Sequence, residues 1–129
     1  MKKLFLLFVF SCSTFIFSNV SYAEWIKIAE NSSGAEYYVD FKEIRKSNGY
    51  VYYWQLTDYS KPTSTGSLSS KIYVQGDCNI FRYAYLSATF HKKWMGKGEY
   101  VEPFTPKFEW TYPSPNSTTN SVLKTVCTH

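Results

Sequence analysis

From residue 25 onward the chain alternates between apolar and polar side chains. Ile26 and Ile28 oppose Trp25 and Lys27 over residues 25–29, and Tyr37 and Val39 oppose Glu36 and Tyr38 over 35–40. A period of two marks strands with one apolar face. Asp40 and Glu43 stand at capping-box spacing, which predicts a single helical turn over 41–46. Asn48-Gly49 then predicts a tight turn, because both residues accept a positive φ. Residues 50–59 carry the longest strand pattern, with Tyr52, Trp54 and Leu56 on one side and Val51, Tyr53 and Gln55 on the other. Apolar character on both sides predicts a central strand. Residues 60–66, with Pro62 and several hydroxyl side chains, read as a surface loop. Two more strands are expected over 67–74 and 78–90, joined by a turn near Gly76-Asp77. The second presents Cys78, Ile80, Ala84, Leu86 and Phe90 on one face, interrupted by Arg82, which is expected to snorkel or to pair with a carboxylate. Residues 91–98 form a basic, glycine-containing turn, and 99–101 with 107–112 supply the last extended segments. The end differs in kind. Ser114-Pro115 fits an N-cap followed by proline at the first helical position, and Val122, Leu123, Val126 and Cys127 share one helical face.

The first 23 residues follow another pattern. Lys2 and Lys3 precede an apolar run over 4–17, broken only by Ser11, Cys12, Ser13 and Thr14, and Ser21-Tyr22-Ala23 closes it with small residues. That order is the one a signal peptidase reads, and the run is short for a membrane span. The expected organisation is a signal peptide over 1–23 and one domain over 24–129. Val9-Phe10-Ser11-Cys12 loosely resembles a lipidation box, although Phe10 is bulky there and the apolar stretch continues past Cys12. Cleavage after Ala23 removes two lysines and no acids, so the formal charge falls from +4 to +2, too small an excess to point to a nucleic-acid partner. Of three cysteines it leaves Cys78 and Cys127 in an oxidising compartment, where a pair reads most simply as a disulfide, with free thiols or metal ligation as the alternatives. The fold class expected is α+β: an antiparallel sheet of about six strands with a C-terminal helix packed on it and tied by the disulfide.

Catalytic chemistry finds little support. His91 sits in the basic turn, where it is expected to be solvated, and His129 at the terminus. The ten acids are thinly spread; Asp40 with Glu43 is better explained as a helix cap, and Asp58 with Asp77 has no spacing logic. No glycine-lysine phosphate loop is present, and no cofactor or metal is expected. Binding signals are stronger. The chain has twelve tyrosines, ten phenylalanines and four tryptophans, of which only Tyr22 and five phenylalanines precede Glu24. One sheet with one helix cannot hide them all, and Tyr50, Tyr53, Tyr83 and Tyr85 are the expected exposed face. The second candidate is the turn with Lys92, Lys93, Trp94 and Lys97, which combines cations and an indole with Gly96 and Gly98. The candidate binding residues are therefore Lys92, Lys93, Trp94, Lys97, Tyr53 and Tyr83.

Several of these residues also form a family pattern. Trp25, Tyr38-Val39-Asp40, Ile44 before Gly49, Trp54-x-Leu56-x-Asp58-Tyr59, Ser70-Lys71, Asp77-Cys78 followed by Arg82, Met95-Gly96-Lys97-Gly98, Trp110 and Cys127 together resemble the bacterial surface-adhesin protein E-like domain family. The match runs in order over essentially the whole of 24–129. The resemblance implies a sheet with a C-terminal helix tied back by the disulfide. It also implies a non-enzymatic surface or envelope protein of Gram-negative bacteria, whose named member is an adhesin for host matrix and serum proteins. The chain departs from that member in lacking a convincing lipobox. Two functions are thus expected: a non-catalytic, adhesin-like envelope or secreted module binding a protein or glycan, or a periplasmic inhibitor or accessory protein of an envelope enzyme. Ser33-Gly34-Ala35-Glu36-Tyr37 slightly resembles the Ser-Gly-x-x-Tyr loop of periplasmic lysozyme inhibitors. Export to the periplasm or beyond follows from either.

Overall fold

The computed structural model describes residues 23–129, with the backbone alone for 101–103. The expected leader, apart from Ala23, and the lipidation reading of Cys12 lie outside the described residues. Seven strands form one antiparallel sheet: β1 (Trp25–Glu30), β2 (Glu36–Asp40), β3 (Arg45–Ser47), β4 (Tyr50–Asp58), β5 (Ser69–Asp77), β6 (Arg82–His91) and β7 (Tyr100–Phe104). Six follow the order β1-β2-β4-β5-β6-β7, and the short β3 pairs with β4 beside them. Helix α1 (Thr118–Cys127) ends the chain. The α+β class and the central place of β4 are as the patterns predict.

The boundaries carry corrections. The helical turn stops at Glu43 as a 3₁₀ turn capped by Asp40, whose Oδ1 accepts from the Lys42 N–H at 3.1 Å. Arg45–Ser47 then becomes β3, because Asn48 (φ 52°) and Gly49 (φ 82°) fold it back onto β4. β5 runs on through Gly76 to Asp77, paired with β4 at nine consecutive positions. Residues 78–81 are a turn rather than strand: Asp77 Oδ1 accepts from the N–H groups of Asn79 and Ile80, both at 3.1 Å, and Phe81 takes φ 64°. Of the stretch 107–112 only Thr111 pairs, as a single bridge to Tyr83. The helix starts later than expected, with Ser117 as its N-cap accepting from the Asn120 N–H at 3.1 Å.

The α1 face of the sheet holds the core. Val39, Val51, Tyr53 and Val74 meet Val122, Leu123 and Val126 of the helix, all buried. Each aliphatic side chain so buried contributes roughly 1.5–3 kcal/mol. Gly76 admits the helix: a Cβ there would stand 2.8 Å from Val51 Cγ1 and 2.9 Å from Leu123 Cδ1. Cys127, at the end of α1, is bonded to Cys78 in the β5–β6 turn, with Cα atoms 5.6 Å apart. The disulfide therefore staples the helix to a turn, not to the start of a strand. A bulge between Tyr73 and Val74 in the pairing of β5 with β6 changes which side chains face the helix. Val74 lies opposite Tyr85 but Tyr73 opposite Ser87, leaving Leu86 as the extra residue. The expected single apolar face of 78–90 is split by this shift: Phe90 pairs with Ser70 on the helix side, while Arg82 and Ala84 face away.

Candidate functional site

The face opposite α1 is where the exposed chemistry collects. Cross-strand pairs there include Trp25 with Asp40, Trp54 with Tyr73, Leu56 with Lys71, Lys71 with Thr89, and Ser69 with His91. No helix covers this face among the described residues, and Tyr52, Trp54 and Tyr73 lie half-exposed on it. The Trp54 and Tyr73 rings are 4.8 Å apart at 31°, and Tyr52 continues the row at 6.2 Å from Tyr73. A cleft of about 390 Å³ opens here, lined by Ala23, Trp25, Asp40, Glu43, Trp54, Lys71 and Thr89.

The basic turn roofs one end of the same face. Met95 (φ 59°), Gly96 (φ 67°) and Gly98 (φ 79°) curl residues 92–98 back over β4 and β5. A Cβ on Gly96 would lie 3.1 Å from Leu56 Cδ1 and 3.0 Å from the Lys71 stem, so glycine lets the turn seal Leu56, which is fully buried. Five hydrogen bonds pin the turn. The Met95 N–H donates to Asp58 Oδ1 at 2.7 Å, the Gly96 N–H to Ser69 Oγ at 2.9 Å, and Ser69 Oγ in turn to the Lys93 carbonyl at 2.6 Å. Trp94 Nε1 donates to the Tyr59 carbonyl at 3.3 Å, and Lys92 Nζ to that of Thr65 at 2.7 Å. Burial raises the Asp58 carboxyl above its ordinary range. Trp94 itself stays 55% exposed, so it is not folded into the core. Lys92, Lys93 and Lys97 are exposed, and none is in an ion pair among the described residues.

The candidate residues thus separate. Lys92, Lys93, Trp94 and Lys97 share the pinned turn. Tyr53 is only 2% exposed and belongs to the core; burial holds its hydroxyl strongly protonated. Tyr83 and Tyr85, with rings 5.3 Å apart, lie half-buried against that core, and Tyr50 stacks on Trp110 at 5.8 Å. The expected tyrosine face is therefore corrected for Tyr53, Tyr83 and Tyr85, which lie on the helix side, whereas Tyr50 shares the open side with Tyr52, Trp54 and Tyr73. Alternation had already separated Tyr52 and Trp54 from Tyr53, but only helix docking decides which set is covered. His91 is also corrected, being buried at the end of β6 with Nε2 hydrogen-bonded to Thr89 Oγ1 at 2.8 Å. Arg82 meets its expected carboxylate, Asp77 Oδ2 at 3.0 Å, and lies over the Trp110 ring at 4.2 Å. The segment 31–35 is a tight hairpin turn, in which Asn31 Oδ1 accepts from the N–H groups of Ser33 and Ala35 at 3.1 and 2.9 Å.

A sequence model of the family described as Surface-adhesin protein E matches residues 25–128. Among curated proteins, none matches the sequence. Solved structures of Haemophilus influenzae protein E share the fold. One crystal form superposes with a TM-score of 0.66 at 17% identity, over 84% of this chain and 86% of that one. Crystal form II gives 0.64 at 18%, over 84% and 90%. Protein E from non-typeable Haemophilus influenzae gives 0.59 at 16%, over 85% and 79%.

Proposed function

Because the chain belongs to the surface-adhesin protein E family, we propose that it is an exported, non-catalytic binding module of the bacterial envelope, adhesin-like in role. Its contact with a protein or glycan partner is made through the basic turn. The observation that carries this reading is the way residues 92–98 are built. An exposed indole and cations that form no ion pair among the described residues stand on a turn held by hydrogen bonds to Asp58, Ser69 and Tyr59, so little ordering entropy is lost on binding. The amino terminus supports export, with processing after Ala23 and a chain beginning at Glu24. The cations of this turn favour an acidic surface on the partner, and steer its approach over about a Debye length of roughly 8 Å at physiological salt.

The test is made on cells. Antibody labelling of intact cells is expected to detect the protein, and its loss is expected to reduce attachment to surfaces coated with extracellular-matrix protein. Lys93→Ala with Lys97→Ala should lower that attachment severalfold and flatten its salt dependence, with the melting temperature nearly unchanged. Lys92 is left in place because it ties the turn to Thr65. Recovery only in the soluble periplasm, with attachment unaffected, would replace this reading with that of a periplasmic inhibitor or accessory protein.

A further inference from the structure

The cleft on the open face is separate from the exposed side of the basic turn, and its chemistry differs. Two adjacent cross-strand rows supply its lining: Trp25, Asp40 and Trp54 from one, Lys71 and Thr89 from the next. We propose that this cleft binds a neutral disaccharide unit of a glycan, its pyranose rings stacked on Trp54 and Trp25 and its hydroxyls hydrogen-bonded to Asp40, Glu43, Lys71 and Thr89.

Three features select that ligand. A pyranose ring presents a face of C–H groups, slightly electropositive, which suits the electron-rich face of an aromatic ring. Trp54, which lines the cleft, is backed by Tyr73, whose ring packs on it at 4.8 Å and 31° and holds the indole in place. Around it the polar groups have both signs. Asp40 and Glu43 only accept from hydroxyls, Lys71 only donates, and the Thr89 hydroxyl can do either. A phosphate or sulfate meets two carboxylates, and a cation meets the Lys71 ammonium, which is in no ion pair among the described residues. A neutral polyol satisfies all four groups at once, so the rim discriminates by repelling either charge.

The groups are also held in place. Thr89 Oγ1 shares a hydrogen bond with Nε2 of buried His91, the Lys71 stem runs beneath Gly96, and Asp40 Oδ1 caps the 3₁₀ turn. Glu43 is steadied by Arg45 Nη2 at 3.2 Å through Oε2, which leaves Oε1 for a ligand. The volume, about 390 Å³ with Ala23 as part of the wall, falls within the roughly 300–1,000 Å³ of small-molecule sites, and in a chain beginning at Glu24 that part of the wall is replaced by the new α-amino group. This inference does not depend on the basic turn binding anything.

The experiment is a titration of the disulfide-bonded protein with lactose, maltose and N,N′-diacetylchitobiose, and with a sulfated heparin disaccharide, followed by the indole N–H signals of its tryptophans. At least one neutral disaccharide is expected to shift the Trp54 and Trp25 indoles while Trp94 and Trp110 stay still. Trp54→Ala should weaken that binding by about tenfold or more. Should it fail to fold, Glu43→Gln at the exposed rim keeps the test alive, with a loss of a few-fold to about tenfold. No shift at Trp25 or Trp54 with any neutral disaccharide would overturn the proposal. So would shifts seen only with the sulfated sugar at Trp94, which would assign sugar binding to the basic turn, or unchanged affinity in Glu43→Gln and Thr89→Val.

Discussion

His91 shows how a single side chain departs from its local pattern. It follows a strand and precedes two lysines, the setting of a solvated residue, yet its ring is buried and 5.8 Å from that of Tyr100. Nε2 meets Thr89, while Nδ1 has no hydrogen-bond partner among the described residues. Burial, with the positive charge of Lys71, holds the imidazole below its ordinary value of 6.5. The folded protein therefore binds fewer protons than the unfolded chain once the pH falls below about 6.5, and stability decreases with further acidification. Denaturant titrations at pH 7.5 and pH 5.5 are expected to give the lower unfolding free energy at pH 5.5, by at most about 1.4 kcal/mol per pH unit from this group. His91→Gln, which cannot titrate, should remove that share of the pH dependence. Sequence spacing placed His91 beside the basic turn correctly; its burial depends on the turn folding back over β5, which no neighbour in sequence reveals.

Among the elements, the docking of α1 on the sheet turns on a missing side chain. Strand β5 carries Gly76 where the helix crosses, and the space a Cβ would need is already occupied by Val51 and Leu123. Gly76→Ala is expected to destabilise the domain by about 1–3 kcal/mol through overpacking, measured by chemical denaturation. The contrasting Gly49→Ala meets no atom within 4 Å and should cost only the strain of its positive φ of 82°, roughly 1 kcal/mol. The apolar face of the helix was legible from Val122, Leu123 and Val126, because a 3.6-residue period needs no tertiary information. Gly76 was not: a glycine before Asp77 reads as a turn, and only the opposing helix shows it to be a contact. The bulge at Leu86 was hidden for a similar reason, since one extra residue in a strand leaves the alternation on either side intact while inverting its faces.

For the molecule as a whole, the Cys78–Cys127 bond links elements that are 49 residues apart in sequence. In the chain-entropy account a closed loop of that length contributes about 4 kcal/mol, a large share of the roughly 5–15 kcal/mol typical of a domain. Cys127→Ser is expected to lower stability by about 2–5 kcal/mol. Hydrogen exchange should rise first across residues 118–126, where the helix is released from the β5–β6 turn. Unchanged protection there would mean that Val122, Leu123 and Val126 hold the helix without the staple.

By itself the sequence determined most of the strands, though not the short β3 or the single bridge at Thr111, together with the amphipathic helix, the paired cysteines and the family pattern, because each is written in local period, spacing or composition. Tertiary structure decided which side of the sheet α1 covers, and with it the fate of the aromatics. Tyr53 became core and Trp54, its neighbour, the floor of an open cleft. The physical reason is that adjacent residues of a strand point to opposite faces, and the choice between two apolar faces rests on the packing of distant side chains.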